Sequence, residues 1–187
     1  MSEASDATWF IRPERPDDTS LVDALNARAF GPGRFAKSAY RLREGVDPVA
    51  ALSFVAIEED VLHGSVRFWP VVIGDAPALM LGPLAVEADL RGKGIGVALM
   101  EHGIAAARTA GHAAMILVGD EPYYARAGFS KLPPGRVWFP GPVDPSRILG
   151  LSLQPNAPVS LSGPIRRAKL DHANCADGAQ LGGSLRA

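Results

Sequence analysis

Between Arg91 and Gly96 the chain reads Arg-Gly-Lys-Gly-Ile-Gly, three glycines and two cations in six residues, directly ahead of a well-patterned helix. A glycine in a helix costs roughly 0.5–1 kcal/mol relative to alanine, so this density at a helix start needs a reason. A helix N-terminus presents unpaired N–H groups and a partial positive charge, and glycines let a ligand come close to both. Arg91 and Lys93 add full charges at the same end. The chemistry implied is a phosphate or pyrophosphate held by backbone amides from about Gly92 to Gly96. Two commoner phosphate loops are excluded. The dinucleotide fingerprint G-x-G-x-x-G needs its third glycine one residue later, and the P-loop needs a glycine where Glu87 stands and Ser or Thr after Lys93.

A second cluster lies downstream in Gly119-Asp-Glu-Pro-Tyr-Tyr-Ala-Arg-Ala-Gly-Phe129. It holds two acids, two adjacent tyrosines and Arg126, on a stretch long enough for two helical turns. Adjacent helical residues differ by about 100°, so Tyr123 and Tyr124 cannot both face one site. Asp120 and Glu121, or Glu58, Glu59 and His63 near a strand turn, are the available general bases, though each also reads as a solvated charge. Phe68 and Trp69 sit side by side on one strand, one toward each face; both read as core, unless one lines a cleft.

These groups need a frame. "WFIR" (9–12) is a short strand, and "PERPDD" stops it and offers Asp17 or Asp18 as a helix N-cap. The apolar spacing of Leu21, Val22, Leu25 and Ala29 is helical, Gly31–Gly33 ends that helix, and a second short helix is expected over 35–43. Strands are expected at 52–59 and 61–75 around a turn at Glu59–Asp60, and at 78–86 after a turn at Gly74–Pro77. Gly82–Pro83 in the middle of the last strand predicts a bulge or a splay. Ile95, Leu99 and Ala106 form a core-facing stripe on the helix after the glycine loop, and Gly111 is a good C′ residue. Strands follow at 113–118, at "SKLPP" and at 147–153. From Gln154 the chain turns rich in Gly, Ser, Pro and Ala. One short strand is expected near Val159–Ser162, and residues from about 165 onward are expected to add little to the core. The boundaries expected are a domain over 1–153 and a partly irregular C-terminal extension over 154–187, in a mixed α/β (α+β) fold with a largely antiparallel first half.

The 187 residues carry a formal net charge of −1, with 47% hydrophobic and 21% charged residues, the composition of a globular domain. That balance gives no reason to expect nucleic-acid or membrane binding. Cys175 is the only cysteine and the four histidines show no paired ligand spacing, so neither a disulfide nor a metal is expected. The acidic, polar start lacks the layout of a signal peptide, no run is long enough to span a membrane, and a cytoplasmic location is expected.

The segment Arg91–Gly96 resembles the R/Q-x-x-G-x-G/A signature of the GNAT acetyltransferase superfamily, and it lies in the matching place, after "LGPLAV" and at the head of a long helix. Residues 119–129 resemble the Tyr-x-x-x-Gly-Phe segment of the same superfamily, most of all a bacterial subgroup reading GD-P-x-YY-x-R-x-GF. The resemblance extends over roughly 9–153 in element order and is sharp over 82–129.

The resemblance implies a mostly antiparallel twisted sheet with flanking helices and a V-shaped splay between two central parallel strands, here 78–86 and 113–118. It implies that acetyl-CoA lies in that splay. The pyrophosphate would rest on Arg91, Gly92, Lys93, Gly94, Ile95 and Gly96, and the pantetheine arm would pair with the backbone of Leu84, Ala85 and Val86. It implies an N-acetyltransferase acting on a primary amine of a small molecule or peptide by direct attack, with Tyr124 as general acid, no metal, and room for a homodimer. Arg126 is placed to reach a phosphate or to lie on the surface. A catalytically inactive acyl-CoA-binding or regulatory module is the alternative, and a longer acyl donor remains open.

Overall fold

The strands of the first half pair with their chain neighbours. Phe10–Pro13 (β1) lies antiparallel on Phe54–Glu58 (β2), and β2 turns into the long strand Val61–Ile73 (β3). Glu59 and Asp60 form that turn with φ of 46° and 63°, the left-handed geometry whose twist suits a two-residue hairpin. A second tight turn leads to Ala76–Val86 (β4), antiparallel to β3. Thr19–Phe30 (α1) and the short Ser38–Arg41 (α2) fill the connection between β1 and β2. Ile95–Thr109 (α3) then crosses to Ala114–Val118 (β5), which lies parallel to β4. Glu121–Tyr124 (α4), Ser130–Lys131 (β6), Val137–Trp138 (β7), Ile148–Ser152 (β8) and Gly163–Arg167 (β9) complete the chain. This computed structural model describes residues 9–36, 38–154 and 161–168, and the main sheet runs β1-β2-β3-β4-β5-β8-β6, with β9 pairing both β3 and β7.

Both faces of the sheet are covered, and strand alternation assigns residues to each. Phe54, Ala56, Val66 and Phe68 pack under Ile95, Leu99, Met100 and Ile104 of α3. Gly103 lets the helix come close, since a Cβ there would lie 2.4 Å from the Phe68 ring. Val55 and Ile57 point the other way, onto Val22 and Leu25 of α1. Gly111 follows α3 with φ of 80°, at the expected C′ position.

The expected irregularity in β4 is present as a bulge. Val66 pairs with Leu84 and Phe68 with Leu81, so Gly82 and Pro83 together stand opposite Arg67. An inserted residue reverses the facing of everything beyond it. Leu79 and Leu81 therefore join the α3 layer, whereas Ala85, of the same parity, packs on α1. Gly82 has φ of 118° and its peptide bond to Pro83 is cis. Its carbonyl accepts from Trp69 Nε1 at 2.6 Å.

Three expectations need correction. Asp18 stands at the N-cap of α1 but makes no capping hydrogen bond. Its carboxylate accepts instead from Arg12 Nη1 and Nη2 at 2.6 and 2.9 Å and from the Arg15 N–H at 2.7 Å, because a charged fork outcompetes a neutral helix N–H. The helix expected over 35–43 divides into a 3₁₀ turn at Pro32–Ala36 and α2. The late strand lies at Gly163–Arg167 rather than near Val159–Ser162, of which 159 and 160 fall outside the described residues. Val71, Val72 and Ile73 of β3 pair with Arg167, Arg166 and Ile165, and Ile165 is 3% exposed, so residues just beyond 165 do join the sheet.

Candidate active site

The parallel pair β4–β5 is joined at only two positions, Leu79 with Met115 and Met80 with Ile116. Beyond them the bulge carries β4 away and the two strands part. The Glu87 N–H donates to the His63 carbonyl at 2.9 Å, which sets the phase of the β3–β4 ladder. Alternate residues of a strand turn their polar groups to opposite edges. Ala85 and Glu87 therefore serve β3, while the N–H and C=O of Leu84 and Val86 face the gap. Of the three residues expected to offer backbone groups, Ala85 offers only its methyl face, and it is 2% exposed. On the gap side Arg91 Nε reaches the Val86 carbonyl at 3.4 Å, a weak contact.

The glycine loop closes one end of this gap. Gly94 is the N-cap of α3 with φ of 88°, a left-handed conformation that glycine adopts without strain. No side chain caps the helix, and nothing lies within 4 Å of where a Cβ would stand at Gly92 or Gly94. The bare N–H groups thus open onto a groove of about 400 Å³ lined by Leu84, Ala85, Val86, Arg91, Gly92, Gly94, Ile95, Gly96 and Arg126, among others. Lys93 is exposed and outside this lining. Gly96 has a different reason from its neighbours: a Cβ there would lie 2.2 Å from the Tyr123 hydroxyl, so its missing side chain admits Tyr123. The Ile95 side chain is spent on the core.

Contrary to the expectation that the two tyrosines cannot face one site, both line the groove; Tyr124 in addition lines a second cleft of about 630 Å³ beyond it. Phe30 and Leu84 are the other residues shared by the two spaces, so Tyr124 stands at their junction. Its ring packs over Gly119, where a Cβ would lie 2.2 Å from it, and edge-on to Tyr123 and Phe129 at centroid distances of 5.1 and 6.1 Å. Burial pushes the Tyr124 hydroxyl up to about 12, so it keeps its proton at neutral pH.

The larger cleft is walled by α1, the α2 segment, β3 and the bulge, with Trp69, Tyr40, Phe35, Arg43 and Arg67 in its lining. Phe68 lies in the core and Trp69 in this wall, one on each face as expected. Arg67 is held by Glu14, at 2.9 and 2.5 Å, and by Asp23 at 3.1 Å. None of the suggested bases lines the cleft. Asp120 pairs with Arg147 at 3.2 Å, Glu121 with Lys131 at 2.7 Å, and Glu58 approaches His63 at 3.5 Å. Glu87, beside the loop, is tied back by Arg28 at 2.5 Å. Arg43 and Arg67 were missed as site residues. Neither belongs to a motif, and only the pairing of distant segments brings them to one cleft.

A family model described as an acetyltransferase (GNAT) domain matches residues 50–131. The uncharacterized N-acetyltransferase YhbS of Escherichia coli is 35% identical over 122 residues, covering 64% of this chain and 72% of that protein. The uncharacterized N-acetyltransferase YjhQ of Escherichia coli is 29% identical over 161 residues, covering 82% and 89%. Among solved structures, Escherichia coli YhbS in complex with CoA superposes with a TM-score of 0.70 at 30% identity, over 86% of this chain and 90% of that one. A GNAT family acetyltransferase from Brucella melitensis in complex with acetyl-CoA gives 0.62 at 29% identity, over 86% and 96%. The chain therefore belongs to the GNAT family of N-acetyltransferases.

Proposed function

We propose that this protein transfers an acetyl group from acetyl-CoA, bound along the groove, to an amine that enters from the larger cleft. The observation that carries this reading is the position of Tyr124, in the wall of both spaces where they meet. The groove fits the donor on its own geometry: Leu84 and Val86 turn backbone groups to the gap, Gly92 and Gly94 leave helix amides uncovered, and Arg91 and Arg126 supply cations. Acetyl-CoA supplies an activated thioester.

The Leu84–Val86 edge aligns the donor and offers an N–H to the carbonyl oxygen as charge grows on it. The carbon–nitrogen bond forms as the carbon–sulfur bond breaks, and the proton lost by the amine ends, in net balance, on sulfur. A thiol of reference pKa about 8.5 is a stronger acid than a phenol near 12, so complete proton transfer from Tyr124 runs uphill by roughly 5 kcal/mol. Tyr124 therefore acts as an acid by donating its hydrogen bond to the departing sulfur, and the amine proton completes the exchange. No carboxylate suggested as a base reaches the cleft, and the three that do line it, Asp23, Glu44 and Asp144, are exposed at its surface, so the amine reacts as the neutral fraction present in solution.

Acetyl-CoA at about 100 times its Kd stabilises a folded protein by about 2.7 kcal/mol, which for a chain of this size raises Tm by roughly 5–10 °C. Gly94→Glu places a carboxylate at the uncovered amides and is expected to abolish the shift, measured against the variant's own Tm. Thiol release from acetyl-CoA across a panel of amines then reads turnover. A wild-type protein without the shift, or a Gly94→Glu variant that keeps it, overturns the assignment.

A further inference from the structure

Arg43 is charged, half-buried and without a counterion among the described residues. It lines the larger cleft, and its Nε is buried with no hydrogen-bond partner. Its side chain makes no ion pair among the described residues. What faces it is aromatic: the guanidinium carbon is 5.9 Å from the Trp69 ring centroid, and Tyr40 and Tyr124 are close enough to bear on its titration. Its Nη2 lies against Gly82, where a Cβ would come within 3.0 Å. Burial draws its pKa down to about 10, which still leaves it charged at neutral pH.

The other cations of the cleft are occupied. Arg67 has Glu14 and Asp23, Arg147 has Asp120, and Arg34 donates to the Gly31 carbonyl over the Phe35 ring. The cleft's carboxylates are also placed elsewhere: Asp23 on Arg67, Asp144 on its own Ser146, and Glu44 at the exposed surface. A buried charge left unpaired is costly, and a guanidinium fork fits a carboxylate in two-pronged fashion. Asn26, 6% exposed in the same wall, adds a buried Oδ1 without a partner, an acceptor suited to an amine N–H.

We propose that the acceptor amine carries a carboxylate that docks on Arg43, so that the substrate is an amino-acid-like molecule. This rests on the reading of the larger cleft as the acceptor site. Arg43 and Tyr124 line the same cleft, so one acceptor molecule can carry its carboxylate to the first and its nitrogen to the second. Trp69, Tyr40, Phe30 and Phe35 in the lining favour an apolar or aromatic side group. The acetyl transfer is as above: nitrogen gains the acetyl carbon, sulfur leaves with the proton, and the carboxylate stays unchanged.

The test uses phenylalanine, leucine, methionine and glycine, each against its carboxamide, as acceptors in thiol release from acetyl-CoA. The corresponding N-acetyl acids and N-acetyl amides are titrated by calorimetry into the full chain with and without CoA. At least one acid is expected to exceed its amide by tenfold or more in kcat/KM and in affinity. Arg43→Gln is expected to erase that preference through KM of the acid, leaving CoA affinity unchanged, and Arg43→Lys to restore part of it. Because Arg43 has no ion-pair partner to lose among the described residues and only a 5.9 Å approach to the Trp69 ring, Arg43→Gln is expected to melt no lower than wild type. No acid preferred over its amide in either assay overturns the proposal. So does an Arg43→Gln variant whose kcat falls equally for acids and amides, which would assign the guanidinium to the departing sulfur. A preference in calorimetry without any response to CoA keeps the carboxylate site and removes the acetyl-transfer reading instead.

Discussion

Tyr124 earns its position through residues that have no chemistry of their own. Gly119 leaves the space its ring fills, and Phe129 holds the ring edge-on. The resemblance of residues 119–129 to the family segment made the tyrosine legible in the sequence, although both tyrosines line the groove. What the sequence could not show is that Gly96 also makes room for Tyr123, because that contact joins two segments across the groove. Arg43 was illegible for the same reason, lying in a stretch with neither period nor motif. If Tyr124 donates to the departing sulfur, Tyr124→Phe keeps the ring and removes the donor. Turnover is expected to fall by about 10²–10³-fold with CoA affinity little changed, while Tyr123→Phe costs far less. With its hydroxyl near 12, Tyr124 contributes no alkaline fall in kcat below about pH 10. Equal, small losses in both Phe variants would reduce Tyr124 to a packing residue.

At the level of elements, sequence pattern was most informative where local chemistry decides structure. The Glu59–Asp60 hairpin, the Gly82–Pro83 bulge and the glycine start of α3 all follow from what those residues do to their own backbone. The β1–α1 junction did not follow, because Asp18 is claimed by a partner six residues back in the chain. The Arg12–Asp18 pair is bidentate and Asp18 is 6% exposed. The Arg12 hydrogen bonds, aided by the Arg15 N–H, hold the Asp18 carboxyl below its ordinary value of 3.8. A carboxylate whose pKa is depressed by folding stabilises the fold above its unfolded value, and that contribution is lost as pH falls through the folded one. Wild-type stability is therefore expected to decline more steeply below about pH 4 than that of Asp18→Asn. At pH 7 Asp18→Asn is expected to be less stable by about 3 kcal/mol, the cost of leaving Arg12 partly buried without its partner. Parallel urea titrations at pH 7 and pH 3 measure both. Equal losses at the two pH values would show that the pair contributes no pH-linked stability.

For the whole molecule, the consequential surprise is the late strand. Gly-Pro-Ile-Arg-Arg has one large apolar residue and no alternation, so nothing in it announces a strand. It becomes one because β3 outruns β2: residues 71–73 would otherwise leave an open edge, and an open edge invites pairing. Ile165 inserts into the cluster with Val71, Ile73 and Trp69. Arg167 Nη1 donates to the Glu44 carbonyl at 2.6 Å, which ties β9 to the segment carrying Arg43. The strand thus braces the wall of the larger cleft from a part of the chain that composition marks as dispensable. Two truncations separate its contribution from that of the residues after it. A chain ending at Ala168 keeps β9; one ending at Ser162 loses it. Burying one isoleucine is worth about 1.5–3 kcal/mol, and in a chain of this size each kcal/mol moves Tm by about 2–4 °C. The shorter chain is expected to melt roughly 5–10 °C below the longer one. Exposed β3 edges are expected to make it self-associate at concentrations where the longer chain does not. Its KM for the acceptor should rise more than its KM for acetyl-CoA, because the bracing acts on the Arg43 wall and not on the glycine loop. Equal melting of the two chains would mean that β9 rests on the sheet without supporting it.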